Sequence, residues 1–142
     1  MLWMTTGTFD APHMAQATLL ARCRDYTDTM MVGVLSDSFV EQYKGERPQW
    51  TEHERLLQVR YYGDVLFDRF DCHIIDDQAE YIMQYHPVVI AVGSDWHGGQ
   101  MYLDQLGISQ EDIDHMQIAI MYFPRTPGIS TTEIKRRLAS ER

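Results

Sequence analysis

Val88-Val-Ile-Ala-Val92 is an unbroken apolar run, mostly β-branched, that leads straight into Gly93-Ser-Asp-Trp96. A run this short and this apolar, cut off by a glycine, reads as a strand covered on both faces, as strands of parallel sheets are. Parallel neighbours need long crossovers, usually helical, so the rest of the chain should alternate strand with helix. It does. A first strand is predicted from about Leu2 to Thr6 and a helix from about Met14 to Tyr26, followed by a second apolar run at Thr29 to Leu35. Ser36 to Trp50 is polar, carries Gly45 and Pro48, and reads as a loop. The next helix opens at the capping-box pattern Thr51-Glu-His-Glu54. A short third strand is expected at Val65 to Phe67 and a helix from Ile74 to His86, ended by Pro87. Gly99 to His115 looks helical in two pieces, broken at Gly107 and restarted by the cap pattern Ser109-Gln-Glu-Asp112. Ile118 to Phe123 is the last strand, followed by a turn at Arg125 to Gly128 and a closing helix capped by Ser130-Thr-Thr-Glu133.

This alternation predicts an α/β fold for residues 1–142 as one domain: a Rossmann-like, doubly wound, mostly parallel five-stranded sheet with helices on both faces. A formal net charge of −9 argues against a nucleic-acid or anionic-membrane surface, either of which needs a basic face. Anionic small molecules must then be met by a local cluster of donors. No apolar run approaches the roughly 18 residues of a membrane span. Cys23 and Cys72, without a CxxC spacing or a secretion signal, read as free thiols in a reducing compartment, which places the protein in the cytoplasm.

In a doubly wound sheet, ligands bind at the carboxyl ends of the strands, near the point where strand order reverses. Gly7 to Gln16, Gly93 to Trp96 and Arg125 to Thr132 each follow a predicted strand, so all three should gather at that edge. Gly7 allows close backbone approach, Asp10 and Pro12 stop the strand, and His13 and Gln16 share one face of the first helical turn. Unpaired N–H groups and the dipole make that turn a natural phosphate site. Singly, each stretch has a plainer reading: a tight turn, a helix cap at Ser130 and Glu133, or a surface turn with a packed indole at Asp95-Trp96. Their coincidence at strand ends is what points to a binding site. His73, Asp76 and Asp77 fall where a helix start favours acidic residues and do not read as a metal site. Cys23 reads as core, the nine methionines as packing, and His97 and His115 as surface residues.

Gly7-Thr8-Phe9-Asp10-x-x-His13 resembles the opening motif of the cytidylyltransferase-like nucleotidyltransferases of the glycerol-3-phosphate cytidylyltransferase type. Arg125-Thr-Pro-Gly-Ile-Ser-Thr-Thr132 resembles that family's Arg-Thr-x-Gly-Ile-Ser-Thr-Thr signature, and Gly93-Ser-Asp95-Trp96 its Gly-Asp-Asp-Trp. The resemblance implies an attack by a substrate phosphate on the α-phosphorus of a nucleoside triphosphate, CTP by the C-terminal signature, with pyrophosphate leaving. Such chemistry is mainly positioning and charge neutralisation. By the same resemblance Thr8 and Phe9 lie near the triphosphate and His13 donates to it, with Gln16 beside it. Asp95 and Trp96 lie near the nucleoside. Arg125, Thr126, Ser130 and Thr131, with the backbone at Gly128 and Ile129, hold the nucleotide. Lys44, with Arg47 in reserve, and Arg55 or Arg60 meet the phosphate of the second substrate, a phosphorylated small alcohol. Mg²⁺ would arrive on the nucleotide, and a homodimer is expected.

The family's usual opening is His-x-Gly-His, whereas this chain has His13-Met-Ala-Gln16. Gln16 offers a neutral hydrogen bond where a histidinium would offer a charged one. Loss of a comparable transition-state donor costs on the order of 10²–10³ in rate, which leaves a slow catalyst rather than none. The alternatives are a nucleotide-binding module without turnover, an adenylyltransferase with another acceptor, or a subunit whose partner supplies the missing cation.

Overall fold

The computed structural model describes residues 1–10, 14–93 and 100–123. Five strands and six helices lie within them: β1 (Trp3–Gly7), α1 (Met14–Cys23), β2 (Thr29–Leu35), α2 (Asp37–Lys44), α3 (Glu52–Leu66), β3 (Arg69–Ile75), α4 (Gln78–Tyr85), β4 (Val89–Gly93), α5 (Gln100–Leu106), α6 (Gln110–His115) and β5 (Ala119–Phe123). The turn and closing helix expected after Arg125 lie outside the described residues.

The five strands form one sheet in the order β3-β2-β1-β4-β5, and every pairing is parallel. The chain winds outward from β1 through β2 to β3, then crosses back to β4 and β5 on the other side of β1. The expected doubly wound α/β sheet is therefore present, wholly parallel where mostly parallel was expected. Alternation along each strand supplies two cores. Trp3, Met30, Val32, Val34 and Cys72 join Leu20, Cys23, Val59 and Leu66 of α1 and α3 on one face. Met4, Leu35, Ile75 and Ile90 join Val40, Ile82, Leu103 and Ile113 of α2, α4, α5 and α6 on the other.

The segment read as a loop from Ser36 to Trp50 contains α2. Ser36 caps it, its side chain accepting from the Phe39 N–H, and Gly45 closes it in the left-handed region at φ 82°, its N–H donating to the Glu41 carbonyl. The helix buries only Val40, which is why it reads as polar. The expected strand at Val65 to Phe67 is also corrected. Val59, Gly63 and Leu66 continue the buried stripe of α3, at helical spacing, through those residues. The third strand is Arg69–Ile75, where the expected helix at Ile74 would have begun; Asp77 caps that helix instead, accepting from the Glu80 N–H. As an edge strand, β3 leaves Arg69 and Asp71 exposed, so its pattern is mixed rather than apolar. The capping box at Thr51 and Glu54, the break at Gly107 and the cap at Ser109 are all present as expected.

Candidate active site

The reversal of strand order falls between β1 and β4, and there the sheet opens. β1 pairs with β2 along its full length, from Trp3↔Met30 to Gly7↔Val34, but with β4 only at Trp3↔Val89 and Met4↔Ile90. Beyond Met4 side chains take over. The Thr5 hydroxyl donates to the Ala91 carbonyl at 2.8 Å. On the opposite face the Thr6 hydroxyl donates to Oε1 of buried Gln78 at 2.7 Å. The crevice of a doubly wound sheet thus has a hydrogen-bonded floor here, with Gly7, Thr8 and Phe9 at its rim.

The elbow after β1 is tightly held. Phe9 is buried and has φ 56°, a conformation that a non-glycine residue adopts only when its surroundings enforce it. The enforcement comes from both neighbours. The Thr8 carbonyl accepts from Arg55 Nη1 at 2.6 Å. The Asp10 carboxylate accepts from the Gln49 N–H at 2.9 Å and the Trp50 N–H at 3.0 Å, which binds the α2–α3 connection to the elbow. Asp10, read from sequence as a strand stop, is a clasp.

Arg55 is the main correction to the expected set. Arg55 or Arg60 was expected to meet the phosphate of the second substrate, yet the Arg55 side chain is 0 % exposed. Its guanidinium donates to the carbonyls of Thr8, Leu35 (2.7 Å) and Trp50 (3.1 Å) and to the Asp37 carboxylate (2.8 Å). Four of the five N–H groups of an arginine are committed within the fold. Beside it the amino ends of α2 and α3 are sewn together: the Asp37 N–H donates to Glu52 Oε1 at 3.0 Å and the Glu52 N–H to Asp37 Oδ2 at 3.3 Å. Burial works to raise the Asp37 carboxyl, but the Arg55 hydrogen bond, the bond with Glu52 and the charges of Arg55 and Arg47 together hold it below its ordinary value.

The other expected phosphate ligands are spread more widely. Lys44 ends α2 and is exposed, its ammonium 5.6 Å from the centroid of the Tyr43 ring. Arg47 lies just beyond and pairs with Glu41 at 2.8 Å on the surface. Arg60 reaches Asp71 at 3.5 Å. Asp71 is level, through Met31, with Met4, three residues short of Gly7 and at the β3 edge, so Arg60 stands away from the crevice. Thr8 and Phe9 are at the crevice rim. His13, Asp95, Trp96, Arg125, Thr126, Gly128, Ile129, Ser130 and Thr131 lie outside the described residues, as does the side chain of Gln16. The strands that lead into their segments, β1, β4 and β5, are adjacent.

Sequence reasoning missed Tyr43, Asp37 and Gln78. Tyr43 and Asp37 went with α2, whose signals, Ser36 ahead of Asp37 and Gly45 after Lys44, were legible as a cap and a stop. Burial of Gln78 had no sequence signal. Among the described residues no group of three His, Cys, Asp or Glu side chains is close enough to hold a metal ion. Asp76 accepts from Ser36, Asp77 caps α4, and His73 Nδ1 lies 2.8 Å from the Tyr81 hydroxyl. Cys23 is fully buried, and desolvation pushes its thiol up to about 12 against the pull of Arg22. It belongs to the core, as expected.

Comparison with known proteins bears directly on this arrangement. The chain is 29% identical over 138 residues to the glycerol-3-phosphate cytidylyltransferase of Bacillus subtilis (strain 168), a match covering 96% of this chain and 95% of that one. It is 26% identical over 136 residues to the enzyme of that name from Staphylococcus aureus (strain NCTC 8325 / PS 47), covering 95% and 92% of the two chains. Among solved structures, the lipopolysaccharide core biosynthesis protein from Thermoplasma volcanium GSS1 shares the fold with a TM-score of 0.64 at 22% identity, covering 89% of this chain and 96% of that one. Its β1, β4 and β5 are adjacent strands of one parallel sheet, the family model described as cytidylyltransferase-like matches residues 4–137, and the chain belongs to that family of nucleotidyltransferases.

Proposed function

We propose that the protein transfers CMP from CTP to the phosphate of a small phosphorylated alcohol of the glycerol 3-phosphate kind, releasing pyrophosphate. The observation that carries this reading is the opening between β1 and β4 beyond Met4, with the strands that lead into the three motifs side by side at that end of the sheet. Near-full-length similarity to two glycerol-3-phosphate cytidylyltransferases supports the choice of substrates. In this reading Thr8 and Phe9, with His13 and Gln16, flank the triphosphate. Asp95 and Trp96 lie by the nucleoside, and Arg125, Thr126, Gly128, Ile129, Ser130 and Thr131 hold the nucleotide. Lys44 and Arg47 meet the acceptor phosphate. Mg²⁺, when bound, would supply positive charge to the triphosphate and would be held largely by the nucleotide, in keeping with an Asp10 carboxylate at the crevice rim that is taken by two backbone N–H groups. The protein acts in the cytoplasm as a homodimer.

The test is pyrophosphate release with Mg²⁺, each of CTP, ATP, GTP and UTP, and a panel of phosphorylated alcohols. CTP with glycerol 3-phosphate should give the fastest turnover. His13→Ala should lower kcat by about 10²-fold or more, and Gln16→His should raise it by at least about 10-fold. Turnover with ATP alone would transfer the reading to an adenylyltransferase. The sequence His13-Met-Ala-Gln16 favours a second reading, a nucleotide-binding module without catalysis. Tight CTP binding with no pyrophosphate from any pair would establish that one.

A further inference from the structure

We propose that Tyr43 is a substrate-contacting residue that hydrogen-bonds the phosphate of the second substrate; this rests on the transfer reading above. Tyr43 stands on the last turn of α2, 46% exposed, with its ring tilted against Phe39. Its hydroxyl lies 3.3 Å from the hydroxyl of Thr8, at the rim of the crevice. Two hydroxyls carry two protons and their mutual contact uses one, so the pair always has an O–H to give outward. Either hydroxyl can donate in that contact; Thr8 is 8% exposed, so an arriving acceptor selects the arrangement in which the Thr8 O–H donates to the phenol and the phenol donates outward. A phosphate oxygen arriving there accepts a charge-assisted bond, strengthened by the hydroxyl behind it.

The sheet order decides which phosphate this is. α2 follows β2, on one side of β1, whereas the Gly93 and Arg125 segments follow β4 and β5 on the other. A nucleotide held over β1, β4 and β5 leaves the α2 side for its reaction partner. Next to Tyr43 is Lys44, exposed and without an ion pair among the described residues, so an anion on the phenol also meets a cation. The position of the phenol is fixed from behind: Ser36 caps α2, and Asp37 is tied to Arg55 and Glu52.

Tyr43→Phe keeps the ring on Phe39 and removes only the hydroxyl, so fold and melting temperature should be preserved. The expected result is a KM for glycerol 3-phosphate raised about 10-fold, with KM for CTP within about 2-fold of wild type. Equal KM values for both substrates in wild type and Tyr43→Phe overturn the proposal, as does a rise in KM for CTP as large as that for glycerol 3-phosphate. If the wild type releases no pyrophosphate, the transfer reading falls alone, and titration of both proteins with glycerol 3-phosphate and inorganic phosphate decides this one. Weaker binding by Tyr43→Phe upholds it, and equal or absent binding overturns it.

Discussion

Arg55 carries the strongest residue-scale consequence, because its loss leaves one carboxylate and three backbone carbonyls without the donor that the fold builds around. Removing one member of a buried ion pair costs about 3–5 kcal/mol, since the other charge is left without compensation. Arg55→Met should therefore lower stability by about that much, and chemical denaturation would show it as a lower midpoint at unchanged slope. It also frees the Thr8 carbonyl, so the strained φ of Phe9 loses one of its two restraints. Asp37 sets the pH dependence of the same cluster. Its carboxyl is held below the ordinary 3.8, so the folded state binds fewer protons than the unfolded state as pH falls toward that value. The stabilisation is complete above about pH 4 and is lost as pH drops through the folded value. Wild type should thus exceed Asp37→Asn in stability at neutral pH, with a gap that narrows by about pH 3; a gap independent of pH would rule out the ion pair as its source.

Gly63 on α3 shows how the elements fit and why part of the fold was hidden in the sequence. A Cβ added there would lie 2.2 Å from the Phe70 ring, so the glycine is what lets α3 settle onto β3. Helix propensity favours Gly63→Ala by about 1 kcal/mol, whereas forcing an extra methyl into packed aromatic rings costs about 1–3 kcal/mol. The clash should win. Gly63→Ala is expected to be destabilised, and Gly63→Ala combined with Phe70→Leu to recover much of the loss; a stabilised single variant would refute this packing argument. Phe70 and Gly63 also explain the misread boundary. A glycine within a helix reads as a weak point, and the alternation Arg69, Asp71 against Phe70, Cys72 lacks the continuous apolar run that identified β2 and β4. Strands buried on both faces were legible at once, as were the caps at Thr51 and Ser109. The edge strand β3 was not, because exposed Arg69 and Asp71 interrupt its apolar residues, whereas the other edge strand, β5, keeps a continuous apolar run and was read as a strand. α2 was overlooked for a related reason: with Val40 alone buried, its helical character lies in Ser36 and Gly45, not in periodicity. The rim of the crevice was legible where a motif follows a strand, at Gly7 to Phe9, and the sequence was misleading where a charged residue's surroundings decide its role, as at Arg55.

At the scale of the whole molecule, one sheet supplies both the stability and the opening. The β1–β2 ladder is complete while the β1–β4 ladder stops at Met4, so the two halves of the sheet are joined at their amino ends and separate toward the carboxyl edge. A nucleotide bound there, as proposed, would bridge halves that the backbone leaves unconnected and would favour the folded state. Its stabilisation follows from mass action, about 2.7 kcal/mol at a free concentration one hundred times Kd. For a chain of 142 residues each kcal/mol corresponds to roughly 3–4 °C in melting temperature, so saturating CTP with Mg²⁺ should raise Tm by about 8–11 °C. The negative net charge makes this a demanding test, since nonspecific attraction of a polyanion to a chain of charge −9 is unfavourable and a shift must come from specific donors. Thr5→Val separates the bridging from the binding. It keeps side-chain volume but removes the hydroxyl bond to Ala91 that takes over where the ladder ends. The variant should melt below wild type without ligand and show a smaller rise in Tm with CTP, because a nucleotide that spans the opening binds less tightly when β4 is held less firmly against β1. A CTP shift equal in both proteins would mean that the nucleotide does not span the opening between these strands.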